Sequence, residues 1–378
     1  MPRVLLAFEP PDGGVAENVR QLALGLAAHG WEAEVAGPLD ATPYAQLEER
    51  AISVHRLSLS RGYGRPDSEA RALVSLVTLL RRGEFDLIHC HASKAGVLGR
   101  IAALASGTSS LYSPHCFAFA GGLQWSWRLA ATALECGLGQ LPGAILCVCE
   151  NEREVALRAG VSSPECLYVV HNGSEACPED LTPDPVVAAL GARGPIVGAV
   201  AALRDQKRLD VLIDAAPLIL ARVPEAGVVI VGNGPLHEQL CARASRLGLD
   251  GDERFALLPF TPPAARALKA LDVYVLPSAW EAFPIGALEA LACGVPQVLS
   301  DVGGNREAVT PQTGALVPPD DPPVLADAIV ALLSDPLRRE AAAAASRRRH
   351  AERFSVARMV AETATVYEAV VADEGSTA

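Results

Sequence analysis

Residues 273–290 read Val273-Tyr274-Val275-Leu276-Pro277-Ser278-Ala279-Trp280-Glu281-Ala282-Phe283-Pro284-Ile285-Gly286-Ala287-Leu288-Glu289-Ala290. The apolar run through Pro277 has the length of one strand. After a short turn, a helical pattern carries on to Gly294-Val295-Pro296. A strand apolar at successive positions is covered on both faces, which means a parallel sheet between helices. The same unit recurs on either side, with strand runs at 196–201, 228–232, 255–259, 298–301 and 315–318. Before residue 174 further runs stand at 3–8, 32–36, 52–57, 86–91, 110–113, 144–149 and 167–171, with helical stretches such as 15–29 and 69–82 between them. Alternation of this kind is the pattern of an α/β protein.

The alternation breaks over 174–195, which is rich in proline and acidic residues and poor in core candidates. The sequence therefore predicts a domain over 1–173, a linker over 174–194, a second domain over 195–352 and a closing helix over 353–378. A length of 378 residues accommodates this division, and 50% hydrophobic content can fill the cores. The formal charge of −12 argues against a nucleic-acid partner, which demands clustered Lys and Arg. It also opposes adhesion to an anionic membrane by charge alone. Arg347-Arg348-Arg349 reads as part of an exposed helix. The first apolar run stops at Glu9, too short for a signal peptide. The stretch 117–149, interrupted by Arg128 and Glu135, reads as core and not as a membrane span. Nine cysteines with no Cys-x-x-Cys predict reduced thiols and a cytoplasmic chain.

Two loops carry the chemistry. Pro284 suits the first turn of the helix after Val273–Pro277, where its missing N–H leaves no bond unmade. The free N–H groups and dipole of that turn favour an anion. Glu281 and Glu289 would repel a phosphate if aimed at it, so they read as acceptors for sugar hydroxyls, or as a cap acid and a solvated helix acid. Gly13-Gly14, after the first strand, allows close backbone approach to a ligand or simply makes a tight turn; the full Gly-x-Gly-x-x-Gly fingerprint is absent.

Glu281-x7-Glu289, with Pro277-Ser278 before it and Gly294-Val295-Pro296 after, resembles the signature of glycosyltransferase family 4. Other motifs fall in family order: Gly13-Gly14, Asp86-Leu87-Ile88-His89-Cys90-His91, His171-Asn172-Gly173, Gln206-Lys207, Val231-Gly232-Asn233-Gly234-Pro235 and Gly303-Gly304-x-x-Glu307. The resemblance implies a GT-B fold, two Rossmann-like domains facing across a cleft, with C-terminal helices packing back toward the first. It implies a retaining transferase using a nucleotide-diphosphate-sugar as co-substrate, with no cofactor and no metal. By the same resemblance Lys207 neutralises the departing diphosphate, aided by the helix start around Phe283, Pro284, Ile285 and Gly286 and by Gly14 from the first domain. Gly13, Gly232, Asn233, Gly234 and Pro259 join the donor site. Glu281 holds donor-sugar hydroxyls, Glu289 grips the ribose, and His115 contacts the reacting sugar. Front-face attack by the acceptor would retain configuration, and domain closure would exclude water.

The sequence departs from the family at one charged position. Ala202 stands where the family has an arginine that touches the diphosphate; either Arg204, two residues on, swings in as a substitute, or the enzyme is weak or catalytically degenerate. That loss keeps in view a non-catalytic sugar-nucleotide-binding scaffold, and a second alternative is a nucleotide-sugar epimerase on the same fold, which would need cleft acid–base residues in place of the Glu281/Glu289 pattern. Asp250-Gly251-Asp252 has metal-like spacing but sits in a polar turn, and His89-x-His91 lacks zinc-like partners. On the acceptor side, Ser93 is expected to cap a helix and Lys94 to occupy its first turn beside His91. This segment is similar to members that extend polyprenyl-diphosphate-linked sugars, so Lys94 either meets an acceptor phosphate or is a solvated surface lysine. Trp125-x-Trp127 with Arg128 reads as ordinary helix packing or as a peripheral membrane contact of the first domain. The expected acceptor is a sugar or lipid-linked glycan, and the expected location is the cytoplasm or the inner face of the plasma membrane.

Overall fold

The computed structural model describes residues 1–59, 66–191 and 194–375. The chain forms two compact units, Met1–Gly173 with Val356–Ala378, and Ser174–Ser355.

In the first unit seven strands, β1 (Arg3–Phe8), β2 (Glu32–Pro38), β3 (Val54–Leu57), β4 (Leu87–His91), β5 (Ser109–Ser113), β6 (Ala144–Cys147) and β7 (Leu167–Val169), form one sheet in the order β3-β2-β1-β4-β5-β6-β7. Every pairing is parallel. Helices α1 (Gly14–Gly25), α2 (Tyr44–Glu49), α3 (Pro66–Gly83), α4 (Ser93–Ser106), α5 (Trp125–Leu138) and α6 (Glu150–Ala159) lie between the strands in the chain. Strand β1 shows why the apolar runs are continuous. Val4, Leu6 and Phe8 enter one core cluster, while Leu5 and Ala7 enter another. Successive side chains point to opposite faces, so both faces must be apolar.

The second unit begins with α7 (Pro185–Leu190), inside the stretch expected to be a linker; Ala192 and Arg193 of that stretch lie outside the described residues. Its six parallel strands are β8 (Ile196–Val200), β9 (Gly227–Val231), β10 (Phe255–Leu258), β11 (Val273–Leu276), β12 (Gln297–Ser300) and β13 (Gly314–Val317). They are ordered β10-β9-β8-β11-β12-β13. Its remaining helices are α8 (Leu209–Arg222), α9 (His237–Arg246), α10 (Ala264–Leu268), α11 (Ile285–Ala292), α12 (Asn305–Ala308), α13 (Pro322–Leu333) and α14 (Pro336–Arg353). The last helix, α15 (Val356–Gly375), belongs to the first unit, where Val360, Ala364 and Tyr367 join the core cluster of β1 and α1. Residues 376–378 of the expected closing helix lie outside the described residues.

Both sheets run outward in two directions from a central pair, β1/β4 in one and β8/β11 in the other. Loops leaving the carboxyl ends of such a pair diverge and leave a crevice where ligands bind.

Three expectations fail. Cys177 and Cys293 are joined by a disulfide across 116 residues of sequence, so the thiols are not all reduced. An odd count and the lack of a short motif do not register one pair that only the tertiary fold brings together. The expected cytoplasmic location rested on those thiols and loses that support. Second, α5 is not core: Trp125 is 76% exposed, and Trp127, Leu129 and Leu134 are exposed with it. The residue that α5 buries is Glu135, paired with buried Arg100 at 2.7 Å. Third, Arg349 is not a free exposed side chain. It donates to the carbonyls of Ala308 and Glu307 and lies over the ring of Phe354. Among the described residues, no helix is long and apolar enough to cross a membrane.

Candidate active site

The loops after β8 and β11 are laced together. Beyond β8 a short helical turn, Asp205–Lys207, places Lys207 Nζ 2.5 Å from Glu281 Oε1. Ser278 Oγ donates to the same oxygen at 2.6 Å, and Gln206 Nε2 donates to Glu281 Oε2 at 3.2 Å. Gln206 also donates to the Trp280 carbonyl at 3.0 Å and accepts from the Ala279 N–H at 2.8 Å. Glu281 is thus a buried carboxylate bonded on both oxygens, with the Lys207 charge beside it. A buried charge is tolerated when paired and hydrogen-bonded. Gly303, at φ 48°, brings its backbone against this loop; a Cβ there would sit 1.8 Å from the Glu281 carbonyl oxygen. The Gly304 N–H closes the contact on Ala282 O at 2.8 Å.

Helix α11 follows at once. Pro284 is its N-cap residue, with φ −75° and ψ 119°, and not part of the first turn as the sequence suggested; the helix starts at Ile285. Its first N–H groups have no partner within the helix. Phe283 is buried 5.4 Å from the ring of Phe354, which fixes the approach to α11. Gly286 lies against Tyr274, where a Cβ would stand 3.0 Å from the hydroxyl. Glu289 is half-buried on α11. Burial first, then the charges of Glu281 and Glu289, push the Tyr274 phenol far up, which places both carboxylates within electrostatic reach of one ring.

Gly232, Asn233 and Gly234 follow β9, and exposed Pro259 follows β10. The Asn233 side chain accepts from the Phe260 N–H at 3.3 Å, tying those loops together. Half-buried Arg204 stands ahead of the Asp205–Lys207 turn, and its N–H bonds the Ala202 carbonyl at 2.9 Å. Asp252 is occupied by Arg254 at 2.7 Å.

In the first unit Gly13 holds φ 83° and ψ −161°, a conformation only glycine adopts readily, and stands at the N-cap of α1 with Gly14 as first helical residue. Glu9, which the sequence reading passed over, accepts from the Lys94 N–H at 3.0 Å. It fills the capping role expected of Ser93. Ala92 is the N-cap instead, at φ 68°, and the Ser93 side chain bonds the Tyr112 hydroxyl. Lys94 is neither solvated nor unpaired: it is 15% exposed and its Nζ is 3.2 Å from Glu69. Glu9 went unnoticed because its position in sequence, after β1, gives no hint of the helix it serves.

His115 and Cys116 both have left-handed backbones, at φ 53° and 105°. Glu152 stabilises that turn. Its Oε1 accepts from the Cys116 N–H at 2.7 Å, and its Oε2 from the Val148 N–H at 2.8 Å. Burial raises the Glu152 carboxyl to about 7 against the pull of those N–H groups. His91 is fully buried, with Nδ1 2.9 Å from His115 Nε2. Burial lowers His115 to about 4 and lowers His89 and His91 as well, so all three rings are neutral near pH 7.

Comparison with known proteins resolves the family. The family model described as "Glycosyl transferases group 1" matches residues 194–335, and "Glycosyl transferase 4-like domain" matches 13–173. The alpha-maltose-1-phosphate synthase of Mycolicibacterium smegmatis is 30% identical over 316 residues, covering 76% of this chain and 79% of that protein. The chain belongs to the group 1 glycosyltransferases. A UDP-Gal:alpha-D-GlcNAc-diphosphoundecaprenol alpha-1,3-galactosyltransferase of Escherichia coli is 29% identical over 278 residues, 71% of each chain. Among solved structures, Anabaena HepE in complex with UDP and glucose superposes with a TM-score of 0.82 at 22% identity, covering 98% of this chain and all of the other. The glycosyltransferase thus has the expected GT-B fold, with the Lys207 and Glu281 loops at the switch point of its second sheet.

Proposed function

We propose that this glycosyltransferase moves a sugar from a nucleotide-diphosphate donor to a hydroxyl of a lipid-linked glycan, with retention of configuration. The observation that carries the reading is the Lys207–Glu281 pair at the carboxyl ends of β8 and β11, immediately before the N-terminus of α11. The diphosphate lies at the α11 terminus, where N–H groups and Lys207 stabilise the charge that grows as the sugar departs. Diphosphate binding draws Lys207 toward the phosphates and frees part of Glu281 for the donor-sugar hydroxyls. Glu289 takes the ribose. Arg204, with Ala202 beside it, supplies the second positive charge. His115 contacts the reacting sugar. The acceptor hydroxyl attacks the face the diphosphate leaves, and its proton goes to a diphosphate oxygen.

The lipid-linked acceptor is supported by α5, whose exposed Trp125, Trp127, Leu129 and Leu134 suit the interface of a bilayer. The named substrate of the Escherichia coli relative, a diphosphoundecaprenol glycan, is of the same class. The enzyme would work against the inner face of the membrane. The deciding experiment incubates purified protein with a panel of UDP-, GDP- and ADP-sugars and undecaprenyl-diphosphate glycans, and follows nucleoside diphosphate release and product anomer by NMR. Donor-dependent product of retained configuration, abolished in Glu281→Ala, is expected. Inverted product, or wild-type activity in Glu281→Ala, refutes the mechanism; donor binding with no turnover favours a scaffold.

A further inference from the structure

The histidines at the carboxyl ends of β4 and β5 carry more than packing. For His89 the hydrogen positions follow from its partners. Ser113 Oγ donates to the Leu146 carbonyl at 2.9 Å, so it accepts from His89 Nε2–H at 2.9 Å. His89 Nδ1 then accepts from the Tyr367 hydroxyl at 2.7 Å. Both nitrogens of this fully buried ring are satisfied in one tautomer.

His91 is different. Its ring lies 3.9 Å from that of His89, centroid to centroid, and its Nδ1 shares one hydrogen with His115 Nε2. Its other nitrogen, Nε2, is buried with no hydrogen-bond partner among the described residues. Two arrangements can fill the shared bond. If His115 donates, His91 must hold its own proton on Nε2, an orphaned N–H in the core. If His91 donates from Nδ1, only a lone pair is left without a partner. Orphaned buried N–H groups are the rarer outcome. Donation by His91 also fixes the far side of the neighbouring ring: His115, neutral, keeps its single proton on Nδ1.

We infer that His91 is a positioning residue that locks His115 as the Nδ1–H tautomer, so that His115 meets its ligand as a hydrogen-bond donor to a sugar oxygen. His91 was read from the sequence as a contact on the acceptor side; fully buried, it acts through His115 instead. The inference rests on the reading of His115 as a sugar contact. The tautomer itself is independent of that reading, because the bond the other nitrogen makes sets it.

The test uses 15N-histidine-labelled enzyme at pH 7, the His115 signals being assigned by their loss in His115→Gln. Wild type should show Nδ1 as the protonated nitrogen of His115 and Nε2 as the bare one. His91→Asn places an amide N–H where the Nδ1–H was, and should preserve both the tautomer and kcat/KM to within a few fold. His91→Phe keeps the ring but removes the donor. It should mix or invert the His115 tautomer and lower kcat/KM roughly tenfold to a hundredfold, the range known for losing the partner that orients a ligating histidine. A protonated Nε2 in wild type overturns the inference, as does an unchanged His115 tautomer in His91→Phe. If His91→Phe does not fold, wild type and His91→Asn still decide. Should no donor be turned over by any form, the proposed function fails while the nitrogen signals continue to judge His91.

Discussion

Lys207 Nζ and Glu281 Oε1 lie 2.5 Å apart, although 74 residues separate them in sequence. The lysine side chain is 18% exposed and the glutamate 5%, so neither charge is well solvated. Removing one partner leaves the other buried and uncompensated, which costs on the order of 3–5 kcal/mol for a fully buried pair and less here because the lysine reaches solvent. Lys207→Ala is therefore expected to lower the thermal midpoint as well as donor affinity. The double variant Lys207→Ala/Glu281→Ala should be more stable than the two single losses add up to, by at least about 1 kcal/mol. Denaturant unfolding of the four proteins checks it. Strict additivity would show that the pair is not coupled in the folded state.

Glu152 gives a pH signature. Its carboxyl is raised from 4.5 to about 7 by burial, so its contribution to stability is complete below pH 4.5 and lost as pH rises through 7. The interval corresponds to roughly 3 kcal/mol. His89, His91 and His115 act in the opposite sense, since lowered values stabilise above pH 6.5 and are lost toward acid. Wild type alone therefore shows the sum. The difference between wild type and Glu152→Gln isolates the carboxyl, and wild type should lose ground to the variant as pH climbs from 4.5 to 7. Because an amide cannot accept from both the Cys116 and Val148 N–H groups, the variant should also lose activity through the His115 turn. A pH-independent difference would show that Glu152 is not held in its protonated form.

The disulfide offers a third test. Cys177 lies ahead of α7 and Cys293 is the C-cap of α11, so the bond ties the start of the second unit to the helix of the candidate site. Closing a loop of 116 residues restricts the unfolded chain by up to about 5 kcal/mol, typically 2–4. Dithiothreitol or Cys293→Ser should lower the unfolding midpoint in denaturant, and the two treatments together should do no more than either alone. No change on reduction would mean that the bond contributes nothing.

Much of this architecture was legible because parallel strands declare themselves. Each apolar run fell on a strand, Val273–Leu276 among them, since two buried faces favour apolar residues at most positions, buried His89 and His91 of β4 being bonded exceptions. Glu281 and Lys207 were legible as a pattern but not as partners, because their meeting depends on β8 and β11 being neighbours. The bonds of Glu9 and Glu152 escaped the reading. A carboxylate that accepts from distant backbone N–H groups looks, in sequence, like any other acid. The exposure of α5 was hidden for the converse reason: Trp, Leu and Ala at helical spacing have the same composition whether the face is covered or bare.

The exposed helix α5 supplies the last prediction. α5 inverts the usual amphipathic helix, with a charge inside and aromatic rings outside. Arg100 and Tyr112 both bond Glu135, at 2.7 and 3.0 Å, so a polar network anchors the helix together with Ala131 and Cys136, which pack against the core. Exposed Trp125 and Leu129, one turn apart, are then available to a bilayer. Burying a large apolar side chain gains roughly 1.5–3 kcal/mol, so losing two should weaken membrane binding at least tenfold. Trp125→Ser/Leu129→Ser is expected to leave the unfolding midpoint unchanged, because both side chains are exposed, and to abolish most co-sedimentation with phosphatidylglycerol–phosphatidylethanolamine vesicles. Binding by wild type should persist at high salt, since a chain of net charge −12 gains little from anionic lipid. Activity on a water-soluble acceptor analogue should survive in the variant while activity on vesicle-borne acceptor falls. Equal vesicle binding by the two proteins would remove α5 from the membrane contact and with it the main structural support for a lipid-linked acceptor.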